Sequence, residues 1–420
     1  MKFEELKINE NTLKALISLG FTEPTDIQAK CIPEIVAGKD LVGQSSTGSG
    51  KTAAFGIPII EKIQAGHGIQ ALIVTPTREL CVQVNDSIKS FAKFHPLRVV
   101  SVFGGVGIGP QIDCLRKADI VVGTPGRLLD HLERRTINLS KVKILVIDEA
   151  DKMFEMGFIE DVERIVKNLP QQRQTLLFSA TISGSIHQLI KKYLNNPVNV
   201  KAQIHVDKSL LKQKYFVVKN REKFSLLVYL IRKHPEKFSL VFCATRAVVD
   251  IVSKNLEDNG INAQAIHGGL SQNKRMFALD LLKREKISVL VATDVAARGL
   301  DIRNVSHVYN YDVPKTSDDY THRIGRTARA GSGGDAITLL SEKDYDNFNQ
   351  VLSDKNIVIH KEELPQFEPV KFFRPEMERR PFGGQGRGRG GFGGGRGSGS
   401  SRNRHSGSGL ERKGPRFGSR

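Results

Sequence analysis

Two acids stand side by side at the end of an apolar run: Ile144 to Ile147, then Asp148 and Glu149, in the stretch KILVIDEAD. Four successive apolar residues read as a strand covered on both faces. Such a strand delivers its carboxylates at the carboxyl edge, where open α/β sheets bind ligands. Adjacent acids repel and lose hydration, so the pair makes sense if Asp148 faces a cation and Glu149 a water to be activated. By itself the tetrapeptide is equally an acidic helix start. A second stretch changes the balance. Ser45-Ser-Thr-Gly-Ser-Gly-Lys-Thr52 follows a short strand candidate, Asp40 to Gly43, and precedes a helix expected from Thr52. Strand, glycine-rich loop, helix is the context of a phosphate-binding loop. Gly48 and Gly50 let the loop amides of Ser46, Thr47 and Ser49 turn inward around a phosphate. Lys51 adds a point charge, and the Thr52 hydroxyl suits Mg²⁺. Ser45 departs from the general pattern, which has glycine there. Together the two stretches specify Mg-nucleotide hydrolysis.

The elements that must hold these residues are strands and helices in alternation. Further strand candidates are Ala71–Thr75, Val99–Phe103, Asp119–Val122 and Thr175–Phe178, with helical stretches such as Met153–Leu169 between them. The alternation predicts right-handed βαβ units and a parallel sheet. At the strand ends lie Pro76-Thr77-Arg78-Glu-Leu, Gly104-Gly105 and Thr124-Pro-Gly-Arg127. Each alone reads as a turn. Three at one sheet edge form an extended phosphate track that grips a sugar-phosphate backbone without reading bases. Ser179-Ala-Thr181 should lie beside the two acids, where its hydroxyls could link the hydrolytic site to the rest of the domain.

The whole chain supports that partner. It has 420 residues, 39% of them hydrophobic, enough for two ordinary domains. Its formal charge of +18 favours a polyanion, although anionic lipid or simple solubility would also account for charge alone. Residues 381–420 carry nine Arg or Lys and one Glu, a net +8, which leaves +10 on the first 380. No run approaches a membrane span, and the charged start MKFEELKINENTL is not signal-like. The cysteines, Cys31, Cys81, Cys114 and Cys243, form no Cys-x-x-Cys pair, which argues against a zinc ribbon or disulfide framework and for a reducing, cytoplasmic setting.

The second half repeats the alternation after a loose polar stretch near residues 200–213. Strand candidates are Lys214–Val218, Ser239–Cys243, Ala263–Ile266, Ser288–Ala292, His307–Asn310 and Ala336–Leu340. There is no second Gly-rich Lys-Thr loop, so this half should not bind nucleotide by itself. Arg246 ends a strand, with Gln272 and Arg275 further on, and is placed to hold a nucleic-acid phosphate. In His322-Arg-Ile-Gly-Arg-Thr-Ala-Arg329 the arginines recur every third residue, along one side of a helix. Arg326 and Arg329 could supply the positive charge a γ-phosphate needs in its transition state, from across a cleft. From residue 366 the chain changes character. With 15 glycines in residues 381–420 and Arg and Phe interleaved, it should be disordered and able to bind single-stranded RNA loosely.

Taken in order, GFTEPTDIQ, SSTGSGKT, PTREL, GG, TPGR, DEAD and SAT resemble the DEAD-box family of ATP-dependent RNA helicases, superfamily 2, over about residues 1–345. The resemblance implies two RecA-like α/β domains with parallel sheets flanked by helices, 1–205 and 214–365. A linker at 206–213 and a disordered basic tail at 366–420 complete the expected layout. It implies ATP and Mg²⁺ as cofactors, and as partner single-stranded or short duplex RNA, with little sequence specificity. Ribonucleoprotein partners and an auxiliary RNA-binding role for the tail are further expectations. Gln28, by its residue type either a helix-start residue or a reader of an adenine edge, would read adenine. Phe3 would stack on the base, with Phe21 nearby. Thr293 and Arg298 would contact RNA, and Asp301 the ribose. His322, Arg326 and Arg329 would serve hydrolysis. Ala328 stands where family members usually carry glycine. Two rival readings, an ATP-gated RNA clamp and a DNA helicase, share the ATPase parts; the preference for RNA comes from the resemblance alone.

Overall fold

Short apolar segments that alternate with amphipathic ones have one stable packing, a parallel sheet covered on both faces, and the chain forms it twice. The computed structural model describes the chain except residues 1, 7, 46–47, 203–210, 298–304, 329–332 and 374–420 and the side chain of residue 283. In the first lobe the strands are β1 (Leu41–Gln44), β2 (Ala71–Val74), β3 (Val99–Val102), β4 (Ile120–Gly123), β5 (Ile144–Ile147), β6 (Gln174–Ser179) and β7 (Val198–Lys201). They lie in the order β3-β4-β2-β5-β6-β1-β7, all pairs parallel. In the second lobe β8 (Leu211–Val217), β9 (Ser239–Phe242), β10 (Ala263–Ile266), β11 (Val289–Ala292), β12 (His307–Asn310), β13 (Gly334–Leu340) and β14 (His360–Lys361) lie in the order β10-β11-β9-β12-β13-β8-β14. Position for position the two sheets correspond: β5 matches β12 and β1 matches β8.

The doubly buried strands explain their unbroken apolar sequences. Ile144 and Val146 of β5 enter one core, and Leu145 and Ile147 enter the core on the opposite face. Successive side chains point to opposite sides, so a strand covered twice needs apolar residues throughout.

Four expectations are corrected. The helix expected over 153–169 is two helices, Ala150–Glu155 and Ile159–Val166, parted where Gly157 turns at φ 75°. The strand expected from Lys214 begins at Leu211, inside the expected linker, because Leu211 to Lys214 complete the register with β13; residues 203–210 lie outside the described part. Both sheets also gain a short edge strand, β7 and β14. The tail's expected start at 366 gives way too. Phe367, Val370 and Phe372 pack on the second-lobe core, Phe372 with its ring centroid 4.6 Å from that of Phe224. Asn255 exchanges two hydrogen bonds with the Phe373 backbone, 2.7 and 2.9 Å. The remainder of the tail, 374–420, lies outside the described residues.

Candidate active site and nucleic-acid interface

Sheet order separates two functions along one edge of the first lobe. The carboxyl ends of β1, β6 and β5 are neighbours and carry the phosphate loop, Ser179–Thr181 and the acid pair. Those of β2, β4 and β3 carry the three expected backbone-gripping loops.

On the first half, Gly50 (φ 96°) caps the helix Lys51–Lys62, and Gly48 is also left-handed at φ 85°; side chains there would be strained. Lys51 is buried at the helix start and donates to the Ser45 carbonyl at 3.1 Å. Ser45 in turn bonds Ser49 through their hydroxyls at 2.9 Å, so the serine found in place of the usual glycine braces the loop. Thr52 is partly exposed on the first turn. Ser46 and Thr47 lie outside the described residues. Asp148 and Glu149 are each 2% exposed. Glu149 caps the next helix in the left-handed region, φ 54°, ψ 51°, a strain of about 1–3 kcal/mol that tends to collect at functional sites.

The charges there set each other's protonation. Burial pushes the Asp148 carboxyl up to about 6, against the pull of Lys51. Burial would raise Glu149 too, but Lys152 first, then Lys51 and Arg326, hold it below its ordinary value. Lys152 is lowered by burial, with Glu149 opposing. Asp148 Oδ1 has no hydrogen-bond partner among the described residues. A buried carboxylate oxygen without a partner and a partly exposed threonine hydroxyl, carried on the same sheet edge, are oxygen donors of the kind a divalent cation takes. Among the described residues no three His, Cys, Asp or Glu gather as a self-sufficient metal site. Asp151, not singled out from the sequence, joins the acids to Ser179–Thr181: its Oδ2 accepts from Ala180 N at 3.0 Å and Thr181 N at 3.1 Å, while its own amide donates to Ser179 Oγ at 3.2 Å.

The expected base-binding residues divide. Gln28 is buried, with Oε1 accepting from Thr25 N at 3.0 Å and Nε2 donating to Gly50 O at 3.1 Å. The side chain therefore fastens the upstream helix to the phosphate loop; one lone pair and one N–H remain to address an adenine edge. Phe3 requires a correction. It is 2% exposed and packs in the core edge-on to Phe21, 6.2 Å between centroids, so neither ring face is open for a base. Phe21 keeps partial exposure in the same cluster.

On the other half, Thr77 caps the helix Arg78–Phe91 by accepting from Leu80 N at 3.3 Å. Arg78 lies against Gly104 and Gly105, where a Cβ on either glycine would crowd its guanidinium. Pro76 is buried, Thr124 caps the helix from Pro125, and Arg127 donates to Val106 O at 3.0 Å. The second lobe repeats the device. Thr245 accepts from Val248 N at 3.2 Å, Arg246 opens the helix, Gly268 lies against its guanidinium, and Gly269 lies against its Cδ and the His267 ring. Gly268 and Gly269 were missed in the sequence, yet the signal was there: Thr-Arg after one strand and Gly-Gly after the next, once in each half. Thr293 follows β11, partly exposed. Arg298 and Asp301 lie outside the described residues.

The arginine helix, Ser317–Ile324, hangs on Arg323. That buried side chain forms a bidentate pair with Asp294, 2.6 and 2.8 Å, donates to Asn310 and the Asp312 carbonyl, and lies 5.0 Å over the Phe242 ring. The helix thereby presents half-buried His322 and, just past its end, Arg326, whose charge reaches Glu149 and Lys152 in the first lobe. Arg329 lies outside the described residues. Ala328, in the family's glycine position, is forced to φ 54°. A left-handed alanine costs about 1–2 kcal/mol, which gives glycine its advantage there. The second lobe also shows why it holds no phosphate loop of its own. Lys223, first residue of the helix after β8 and so the positional counterpart of Lys51, is fully buried on Asp344 at 2.6 Å.

Among the described residues, side chains of the two lobes meet at Glu79. Buried Glu79 receives Arg275 Nη2 at 2.9 Å and Gln272 Nε2 at 3.0 Å, and Arg78 reaches Gln272 Oε1 at 3.4 Å. An ion pair assembled only when the lobes meet contributes to their meeting. Arg275→Ala should therefore raise the RNA concentration for half-maximal ATP hydrolysis roughly thirtyfold, about 2 kcal/mol, while kcat at saturating RNA holds. An RNA titration of the ATPase checks this, and an unchanged midpoint would remove Glu79 from the closure.

Residues 25–189 match the family model described as DEAD/DEAH box helicase, and residues 222–331 that described as helicase conserved C-terminal domain. The chain is 48% identical over 346 residues to the ATP-dependent RNA helicase CshA of Listeria monocytogenes, covering 82% of this chain and 66% of that one, so it spans just under two thirds of that relative's length. Among solved structures, a DEAD box protein from Methanococcus jannaschii is 43% identical, with 86% of this chain and 99% of that chain covered and a TM-score of 0.53. S. cerevisiae Dbp5 bound to RNA and ADP BeF3 is 31% identical, with 86% and 95% covered and a TM-score of 0.77.

Proposed function

Because the chain belongs to the DEAD-box family of ATP-dependent RNA helicases, we propose that it hydrolyses ATP when RNA draws its two lobes together, and that the cycle locally unwinds or remodels RNA duplexes and RNA–protein complexes. The observation that carries this reading is the convergence of Lys51 and Lys152 from one lobe and Arg326 from the other on the buried Glu149. The TM-score of 0.77 to Dbp5 bound to RNA and ADP BeF3 supports taking this arrangement as the closed form.

In that form the loop amides from Ser46 to Gly50 and Lys51 would hold the ATP phosphates, with Gln28 against the adenine edge and Asp301 at the ribose. Asp148 and Thr52 would hold Mg²⁺, which when bound neutralises phosphate charge. Glu149 would orient and polarise the attacking water, and Arg326, with Arg329, would stabilise the charge that develops. His322 would serve hydrolysis beside the arginines, and the Asp151 link to Ser179 and Thr181 would report the nucleotide state to the rest of the domain. RNA would cross Pro76–Arg78, Gly105, Thr124 and Arg127 on one lobe and Arg246, Thr293 and Arg298 on the other. All of these are suited to sugar and phosphate, so sequence specificity should be low. ATP and RNA each gain contacts only on closure, so each favours the other.

The tail is proposed as a loose auxiliary RNA tether, ribonucleoprotein particles as a setting, and the cytoplasm as the compartment; the scattered cysteines support the last, and cell fractionation checks it. Steady-state hydrolysis with no nucleic acid, poly-uridine RNA or matched single-stranded DNA, on the full chain and on residues 1–373, tests the core reading. Stimulation of at least about tenfold by RNA and not by DNA is expected for both lengths of chain, with a weaker salt dependence for the shorter one. Equal stimulation by DNA would defeat the RNA assignment. The cut falls at 373 because ending at 365 would strip Phe367, Val370 and Phe372 from the second core.

A further inference from the structure

Lys152 is given no task in the chemistry above, yet its charge lies against Glu149 at the centre of the site. It sits on the first turn of the helix that Glu149 caps, and its Nζ is 2.7 Å from Glu149 Oε1. Both side chains are nearly dry, 8% and 3% exposed. Exposed pairs at this helical spacing contribute little and are easily replaced by water. This one is sealed against the reaction centre, where no such exchange is on offer.

The other cations near Glu149 have other obligations. Lys51 turns to phosphate once a nucleotide is bound, and Arg326 belongs to the other lobe and is in place only when the lobes meet. Lys152 travels on the same helix as Glu149, so its pairing survives every stage of the cycle. Glu149 also stands next to a second acid, Asp148, and in a left-handed backbone conformation. Without a fixed counter-charge its carboxylate would swing away from its neighbour's charge.

We propose that Lys152 is a positioning residue for hydrolysis: it pins Glu149 Oε1 through the buried ion pair, so that Oε2 is the oxygen aimed at the attacking water. This rests on the reading of Glu149 as the water-polarising group. A fixed carboxylate pre-organises the water, and misplacing a catalytic group by about 1 Å can cost up to a hundredfold in rate.

The test uses the full chain with saturating RNA. Lys152→Met keeps the length and removes the charge; Lys152→Arg keeps the charge. K152M should lower kcat about tenfold, with the KM for ATP and the RNA midpoint within about twofold. K152R should restore most of the rate, and thermal melting should show all variants folded. In the Glu149→Gln background, where nothing remains to be pinned as a carboxylate, adding K152M should change the residual single-turnover rate less than about twofold. Native kcat in K152M, or an undiminished tenfold loss on top of E149Q, overturns the proposal. Should E149Q itself keep native turnover, it is instead the assignment of Glu149 that fails, and with it the proposal's premise.

Discussion

Glu149→Gln lowers kcat for RNA-stimulated ATP hydrolysis by about 10³, the span expected when a water-orienting base is removed from a preorganised site. Glutamine has the same length and can adopt the same left-handed backbone, so the exchange removes charge and little else. At 2% exposure the side chain has no bulk water to recruit in its place. The KM for ATP should stay within about threefold, since phosphate contacts fall to Lys51 and the loop amides. A second readout sharpens the result. If hydrolysis is the step that reopens the lobes, the variant should retain RNA in the presence of ATP for far longer than the native chain, measurable as a slowed dissociation rate. Loss of the Lys152 partner leaves a buried ammonium unpaired and should lower stability by about 1–3 kcal/mol. A thermal melt separates that from the catalytic loss. Turnover above about a tenth of native would remove Glu149 from the chemistry.

Arg326→Ala is expected to cost still more, about 10³ to 10⁵ in kcat, the range for a finger supplied from across an interface. Arg326 is 4% exposed, held just past the helix that Arg323 anchors through Asp294, Asn310 and the Asp312 carbonyl. Its charge acts on the Glu149 and Lys152 pair only because the lobes are together. The variant should bind ATP about as well as the native chain and bind RNA normally without nucleotide, while hydrolysis nearly vanishes. Arg326→Lys should not rescue, because an ammonium cannot present the planar fork of donors that spans two phosphate oxygens. Equilibrium nucleotide binding alongside single-turnover hydrolysis distinguishes lost chemistry from lost binding. A variant that keeps more than about a tenth of the native rate would show that the second lobe gives the γ-phosphate nothing through this residue.

These two effects were foreseeable from residue types, and the reason is local. A phosphate loop needs glycines at positive φ, and Gly48 and Gly50 have it. A strand buried on both faces must be apolar along its length, and β5 is. Each is a demand of the backbone on its own few residues, so the strands, the loop, the acid pair and their shared sheet edge could be read in chain order. At Ala328 the resemblance gave only the usual glycine, and the structure supplied the reason, a φ of 54°.

Only the tertiary structure decided the rest, because it turns on which groups from distant parts of the chain share a dry space. Phe3 has the residue type to stack on a base; packing against Phe21 assigned it to the core instead. Gln28 has one donor and one acceptor to spare only after Thr25 and Gly50 have taken the others. Glu79 looks like any helix-start acid until Arg275, nearly two hundred residues away, is found on it. Lys152 looks like a solvated lysine until burial seals it onto Glu149. Phe367, Val370 and Phe372 are too sparse to announce a core, and become part of one because Tyr229 and Phe224 meet the two phenylalanine rings. Periodicity and turn chemistry are properties of neighbours along the chain. Desolvation and ion pairing are properties of neighbours in space, and the second set exists only after the first has folded.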